Sequence, residues 1–154
     1  MEALEIERKF LVKKLPEDLE KYECRQLEQG YLCIEPVVRI RRSDDTYTLT
    51  YKGKGLLVRE EYNLPLTKEA YEHLKPKADG VLITKKRYKM PYQNYMIELD
   101  IFEGELAPLQ LAEVEFPSKE EAEAFEAPEW FGEDVTFSGQ YQNSSLSRRH
   151  IAKE

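Results

Sequence analysis

Apolar and charged residues alternate along most of this chain. In the opening segment LEIERKFLV, Glu5, Glu7 and Lys9 stand at every second position between mostly apolar neighbours. Successive side chains of a β-strand point to opposite faces, so these three charged side chains should share one face. The same period of two predicts eight strands, over residues 3–12, 25–34, 37–42, 46–53, 57–65, 81–90, 94–103 and 109–117.

Turns and short helices connect the predicted strands. Thr67 is a suitable N-cap for one helix, and Ser118, followed by Glu121, forms a capping box for a second. The hairpin turns are predicted at residues 43–45 and 53–55, and the helices over 68–75, 119–126 and 143–151.

Eight mostly antiparallel strands with a few helices are compatible with two architectures. The predicted class is α+β, mainly β, and closure into an eight-stranded barrel would remove the exposed sheet edges. A large open sheet is the alternative. The spacing of the strands alone leaves both arrangements open.

The charged positions are segregated by strand. Acids recur on the first, seventh and eighth predicted strands, whereas cations recur on the third, fourth and sixth. One polar face is ordinary for an antiparallel sheet exposed to solvent, but such a face usually mixes uncharged polar residues with scattered charges. In a closed barrel the charged faces would converge in a lumen. Two like charges about 4 Å apart repel by ~4 kcal/mol at an effective dielectric near 20, so these cations require facing carboxylates or an anionic ligand.

Composition and charge narrow the class of protein. The 154 residues fit one domain over 1–154, and 41% hydrophobic with 34% charged residues is typical of a folded globular protein. A net charge of −7 argues against non-specific nucleic-acid binding.

Cys24 and Cys33 lack metal-site spacing, which predicts reduced thiols. No segment resembles a signal peptide or a membrane span, so we expect a cytoplasmic protein, monomeric or homodimeric, with no membrane partner.

The residue types favour phosphate chemistry. Several Arg and Lys residues that converge from different strands suit a polyanion whose oxygens each need hydrogen-bond donors. Carboxylates without histidine partners suit a hard divalent ion such as Mg²⁺ or Mn²⁺, and His73 and His150 are the only histidines. Together these groups are typical of phosphoryl transfer.

These residues also resemble a known family. The segment from Glu5 to Lys9 matches the ExExK signature of the CYTH superfamily, the triphosphate tunnel metalloenzymes. Further similar segments follow in the family's order, namely QGYL, VRIR, LTYKGKG, REEY, KKRY, ELDIFEG, AEVEF and PEWFGEDVT. The resemblance extends along the whole chain and is closest to the small stand-alone bacterial members. It implies an eight-stranded closed tunnel and metal-dependent hydrolysis of a small-molecule triphosphate.

The resemblance implies a role for individual residues. It assigns metal binding to Glu5, Glu7, Glu113 and Glu115, and substrate binding to Lys9, Arg39, Arg41, Lys52, Arg59, Lys85 and Arg87. It assigns catalytic roles to Lys9, Tyr31, Glu61 and Asp100, with Tyr31 expected to hold Lys9 near the reacting phosphate. Glu98 stays outside these sets because a glutamate before the aspartate is also suited to pairing with a neighbouring cation.

Two segments depart from the family pattern. Asn63 stands where relatives usually carry a second acid. The C-terminal segment keeps Tyr141, Asn143 and Leu146 but lacks the acid and base that usually precede them. The expected reaction is hydrolysis of inorganic tripolyphosphate to pyrophosphate and phosphate. The alternatives are a thiamine or nucleoside triphosphatase, an adenylate cyclase, and a non-catalytic module that binds polyphosphate or a nucleotide.

Overall fold

The computed structural model describes residues 4–147, which form one antiparallel sheet with short helices. The strands are β1 (Leu4–Val12), β2 (Glu23–Ile34), β3 (Val37–Ser43), β4 (Thr46–Lys52), β5 (Val58–Leu66), β6 (Asp79–Tyr92), β7 (Tyr95–Phe102), β8 (Gln110–Glu115) and β9 (Phe131–Asp134). The α-helices are α1 (Lys68–Leu74), α2 (Lys119–Ala124) and α3 (Asn143–Leu146).

The first eight strands close into a barrel. Their order around the ring is β5-β4-β3-β2-β6-β7-β8-β1, and β1 pairs with β5 to complete it. The closing contact is short, because it joins Leu4–Ile6 to residues 58–60. The barrel prediction is therefore confirmed, and the open sheet is wrong.

The ninth strand is an addition that the sequence pattern does not predict. β9 pairs with β1 beyond the closing contact, with Phe10 opposite Asp134 and Val12 opposite Phe131. A Cβ on Gly132 would lie 3.2 Å from the carbonyl oxygen of Leu11, so the glycine permits this close approach of the two backbones. Four residues with a central glycine carry no alternation from which to predict a strand.

The main hydrophobic core lies outside the barrel wall. Phe10, Leu99 and Val114 point outward from three strands and pack beneath α2 and β9. Phe125 contributes five ring contacts to this core, with Phe10, Tyr92, Tyr95, Phe116 and Phe131. Because the apolar faces are covered from outside, the charged faces are left to line the interior.

A second apolar cluster fills one end of the barrel. Its buried members are Tyr31, Val37, Ile83, Phe102, Leu106, Leu111, Val135 and Leu146. Leu146 belongs to α3 and is fully buried, so the C-terminal segment closes this end. The opposite end leads into a cavity of about 500 Å³ lined by Arg25, Ser43, Thr46 and Lys89 among others, which we call the mouth cavity.

The predicted helices are confirmed with small shifts. The Thr67 hydroxyl accepts the backbone N–H of Ala70, and the Ser118 hydroxyl accepts that of Glu121. α2 ends at Ala124, two residues early, because extended Phe125 turns its ring into the core. The last predicted helix is confirmed only over α3, and residues 148–151, with His150, lie outside the described part. Between residues 4 and 147, each helix is too short or too polar to cross a membrane.

Candidate active site in the barrel lumen

The charged strand faces meet inside the barrel. They surround a cavity of about 170 Å³, which we call the lumen cavity. Its lining is Glu5, Glu7, Arg39, Arg41, Lys52, Glu61, Asn63, Arg87, Glu98, Glu113, Glu115 and Asn143. The lumen cavity shares Arg39, Arg41 and Arg87 with the mouth cavity, so the two are adjacent. The convergence expected from the alternating charges is therefore present.

Three carboxylates form a compact cluster in this lumen. Glu7, Glu98 and Glu113 each offer an oxygen atom, and these atoms lie within 4.8 Å of one another. Strand register brings them together, since Glu98 stands directly opposite Glu113 and Glu7 directly opposite Glu115. Like charges in such cross-strand pairs are destabilising, so the arrangement calls for a compensating cation. An all-carboxylate oxygen set fits a hard divalent ion such as Mg²⁺ or Mn²⁺.

Two carboxyl groups of the cluster, Glu7 and Glu113, have pKa values shifted in opposite directions. Burial, and then the negative charges of Glu113 and Glu5, raise the pKa of Glu7 well above its ordinary value. Burial also acts to raise the pKa of Glu113, but the positive charges of Lys9 and Arg87 outweigh it and hold that pKa well below normal. Glu113 therefore ionises more readily than an ordinary glutamate and lies between two cations, whereas Glu7 releases its proton less readily.

The other two predicted metal ligands occupy different surroundings. Both oxygens of Glu5 lie 3.1 Å from the Lys52 ammonium, which also approaches Glu61 at 3.5 Å. Glu115 lines the lumen cavity but is exposed at its edge. Burial and the charges of Glu5 and Glu61 raise the Glu115 pKa. The structure therefore brings Glu7 and Glu113 together with Glu98, whereas Glu5 forms an ion pair with Lys52.

Two arginines face the acids without a carboxylate partner of their own among the described residues. Arg39 donates from Nη2 to the Thr50 hydroxyl over 3.1 Å, and its buried Nε has no hydrogen-bond partner. Arg41 donates from Nε to the Gln29 side chain over 2.8 Å. Burial and the charges of Arg39 and Arg87 lower the pKa of Arg41 to about 9. Unpaired buried guanidinium groups favour an anionic ligand.

Asn63 lies beside these two arginines in the lining of the lumen cavity. Its amide oxygen accepts the Thr50 hydroxyl, which also accepts Arg39. The departure from the family pattern at Asn63 therefore places a neutral hydrogen-bonding group, and not a carboxylate, next to the unpaired arginines.

A buried ion-pair network lies behind the lumen wall. Lys85 and Asp100 are fully buried, with Nζ and Oδ2 2.7 Å apart, and neither lines the lumen cavity in the described part of the chain. Burial lowers the pKa of Lys85 to about 7 despite the charge of Asp100. Asp100 also binds Arg87, which reaches forward to Glu113 over 2.9 Å and to Glu98 over 3.3 Å.

Lys9, Tyr31 and Arg59 lie together at the closed end. All three line a small cavity of about 30 Å³ next to the lumen. The Lys9 ammonium donates to the Tyr141 carbonyl over 3.1 Å and lies 3.4 Å from Glu113. The Tyr31 hydroxyl accepts the Gln29 amide over 3.2 Å. Tyr31 is thus a neighbour of Lys9, as expected, but its hydroxyl is engaged by Gln29.

The C-terminal segment contributes a lumen residue to which sequence reasoning gave no role. Asn143, at the start of α3, lines the lumen cavity and accepts the Lys85 ammonium over 3.1 Å. Glu98 likewise lies outside the sets predicted from the sequence. Glu98 joins the carboxylate cluster because it stands opposite Glu113 on the neighbouring strand. The spacing of residues within one strand does not predict that register.

Comparison with known proteins agrees with this architecture. The CYTH domain model matches residues 3–150. An inorganic triphosphatase of Nitrosomonas europaea is 40% identical over 148 residues, covering 93% of this chain and 96% of the relative. An inorganic triphosphatase of Acetivibrio thermocellus is 35% identical over 149 residues, covering 92% of each chain. A crystal structure of an inorganic triphosphatase is 37% identical, covers 93% of each chain and superposes with a TM-score of 0.70. This chain therefore belongs to the CYTH domain family.

Proposed function

We propose that this protein is a divalent-metal-dependent triphosphatase that hydrolyses inorganic tripolyphosphate to pyrophosphate and orthophosphate. The observation that carries the proposal is a single lumen with unpaired arginines on one wall and a carboxylate cluster on the other. Curated relatives at 40% and 35% identity named inorganic triphosphatase support the same activity.

Glu7, Glu98 and Glu113 would hold the metal ion, and Glu5 and Glu115 line the same cavity. When bound, Mg²⁺ or Mn²⁺ would neutralise phosphate charge and polarise a phosphoryl oxygen. A metal here would also relieve the repulsion between the opposed carboxylates.

The cationic side chains of the lumen would bind the phosphate oxygens of the substrate. Arg39 and Arg41 have N–H donors without carboxylate partners, so they bind phosphate oxygens without first breaking an ion pair. Lys9, Lys52 and Arg87 already pair with acids and would exchange these partners when metal and substrate enter together. Such positioning and charge neutralisation supply most of the rate in phosphoryl transfer.

The bond that breaks joins the terminal phosphorus to its bridging oxygen. Water attacks that phosphorus, and the bridging oxygen leaves with pyrophosphate. Glu61 lines the lumen cavity and is the proposed group that orients the water, while Lys9 would neutralise charge on the reacting phosphate. Asp100 would act indirectly, by fixing the guanidinium of Arg87.

The lining of the mouth cavity favours an inorganic substrate. Among the described residues it consists of polar and charged side chains with Leu27, and it includes no aromatic ring on which a base would stack. This feature supports tripolyphosphate over nucleotides and thiamine triphosphate as the substrate. The cytoplasmic location and the monomeric or dimeric state remain predictions from the sequence.

Phosphate release from a panel of substrates tests the proposal. Purified protein is assayed with tripolyphosphate, pyrophosphate, ATP and thiamine triphosphate, each with Mg²⁺, Mn²⁺ or EDTA. We expect rapid release from tripolyphosphate with a metal and none with EDTA. Faster turnover of ATP or thiamine triphosphate would reassign the substrate, and cyclic AMP formed from ATP would identify a cyclase.

A further inference from the structure

The closed end of the lumen is built by the C-terminal segment. Leu146 anchors this segment in the apolar cluster, and Ser144 and Ser147 are also buried. The backbone carbonyl of Tyr141 accepts the Lys9 ammonium. Asn143 lies between these anchor points and is the residue of α3 that lines the lumen cavity.

Lys85 does not reach the lumen surface by itself. Its side chain is fully buried, over the ring of Phe102 at 5.1 Å, and its ammonium donates to Asp100 and Asn143. Asn143 lines the cavity that Lys85 does not. The positive charge of Lys85 therefore faces the lumen through an intervening amide.

The chemistry of an ammonium group fixes the orientation of that amide. Lysine only donates hydrogen bonds, so the Asn143 atom facing it must be the oxygen, and the NH₂ group is left as the donor for a ligand. A hydrogen bond from a cation to an amide oxygen polarises the amide and strengthens its N–H donors.

We propose that Asn143 is a substrate-binding residue, whose amide NH₂, polarised by Lys85, binds the innermost phosphate of the chain. The inference rests on the proposed function, because it takes a phosphate chain as the ligand. In this proposal Asn143 contacts the substrate, and Lys85 acts on the substrate only through Asn143.

Binding of tripolyphosphate in EDTA, measured by isothermal titration calorimetry, tests this role without hydrolysis. The variants are Asn143→Ala, which removes the amide, and Asn143→Asp, which replaces the donor by a carboxylate. Ser145→Ala is the matched control, since Ser145 is an exposed residue of the same helix. We expect about tenfold weaker binding for Asn143→Ala, as for a lost charge-assisted hydrogen bond. Asn143→Asp should bind more weakly still, and Ser145→Ala should match the wild type.

The outcomes separate this inference from the proposed function. Binding by Asn143→Ala within twofold of the wild type, or by Asn143→Asp as tight as the wild type, overturns the role of Asn143 and leaves the triphosphatase intact. No binding by the wild type in EDTA overturns the inference about Asn143, whereas the proposed function is overturned separately, by the absence of phosphate release with metal. Asn143→Ala should lower the unfolding temperature, because the buried Lys85 ammonium loses an acceptor. The kinetics with metal separate binding from this structural effect: Asn143→Ala should raise KM for tripolyphosphate with little change in kcat, whereas a loss of folded protein would lower kcat and leave KM unchanged.

Discussion

The guanidinium of Arg87 binds the carboxylate of Asp100 at two points. Nε lies 2.7 Å from Oδ1 and Nη2 lies 2.9 Å from Oδ2, and the two residues stand directly opposite each other on β6 and β7. Asp100 also binds Lys85, so one buried carboxylate pairs with two buried basic side chains. The pair holds Arg87 with its remaining N–H groups directed at Glu113 and Glu98 in the lumen.

Replacing Asp100 by Asn should destabilise the fold. The substitution removes the carboxylate that pairs with Lys85 and one of the carboxylates that pair with Arg87, and removal of one partner of a buried ion pair typically costs about 3–5 kcal/mol. Urea denaturation measures the change. Glu23→Gln, which breaks the exposed pair with Arg25, is the control and should cost under about 1 kcal/mol. Equal stability of Asp100→Asn and wild type would show that the network is not essential.

Arg39→Leu should make the protein more stable and less active. Arg39 is buried with an unpartnered Nε, which costs about 1–3 kcal/mol, and leucine removes that group. The same change removes a phosphate ligand, so KM for tripolyphosphate should rise about tenfold or more. Denaturation and steady-state kinetics measure the two effects. The exposed Arg42, changed to Leu, should alter neither, and a loss of stability in Arg39→Leu would show that the guanidinium is well satisfied.

Metal binding should tighten as pH rises. The pKa of Glu7 is raised above 4.5 by burial and by Glu113, so between 4.5 and that raised value the folded protein keeps a proton that a metal must displace. In this window the affinity should increase by up to about tenfold per pH unit and level off above it. The same shift makes the metal-free protein lose stability as pH rises through the window, since only the unfolded state has released the proton.

Calorimetry of Mn²⁺ binding in two buffers of different ionisation enthalpy measures this proton. We expect about one proton released per ion within the window, and none at higher pH. In Glu7→Gln the released proton should be absent and the metal affinity lower. A pH-independent affinity in the wild type would contradict the assignment of Glu7.

Glu113→Gln should separate binding from turnover. Loss of this carboxylate weakens the metal site, so metal-dependent hydrolysis should fall by about 100-fold or more. It also releases Lys9 and Arg87 from an ion pair, so tripolyphosphate should bind at least as tightly in EDTA. Glu123→Gln, an exposed change on α2, is the control and should match the wild type. Full hydrolysis by Glu113→Gln would place the metal elsewhere.

Much of the barrel and its charged lumen was predictable from the sequence. The period of two in segments such as LEIERKFLV assigns Glu5, Glu7 and Lys9 to one face, and that face does line the lumen. Helix caps at Thr67 and Ser118 follow local hydrogen-bonding rules. These features depend on neighbours within a few residues, which a single sequence contains.

The features that the sequence did not predict depend on register and distant contacts. Glu98 joins the acidic cluster because it stands opposite Glu113, and a shift of one residue would turn it out of the lumen. β9 forms because Gly132 approaches Leu11, more than a hundred residues away. The role of Asn143 depends on Leu146 anchoring the C-terminal segment in the closed end of the barrel. None of these relationships produces a periodic pattern in the amino-acid sequence.

The measurement that most directly tests a metal-assisted phosphate site in the lumen is ³¹P NMR of tripolyphosphate incubated with the protein and Mg²⁺ or Mn²⁺. The account predicts that tripolyphosphate disappears while pyrophosphate and orthophosphate accumulate in equal amounts, and that EDTA stops the reaction. Tripolyphosphate that stays intact with both metals, or is cleaved equally well in EDTA, would contradict it.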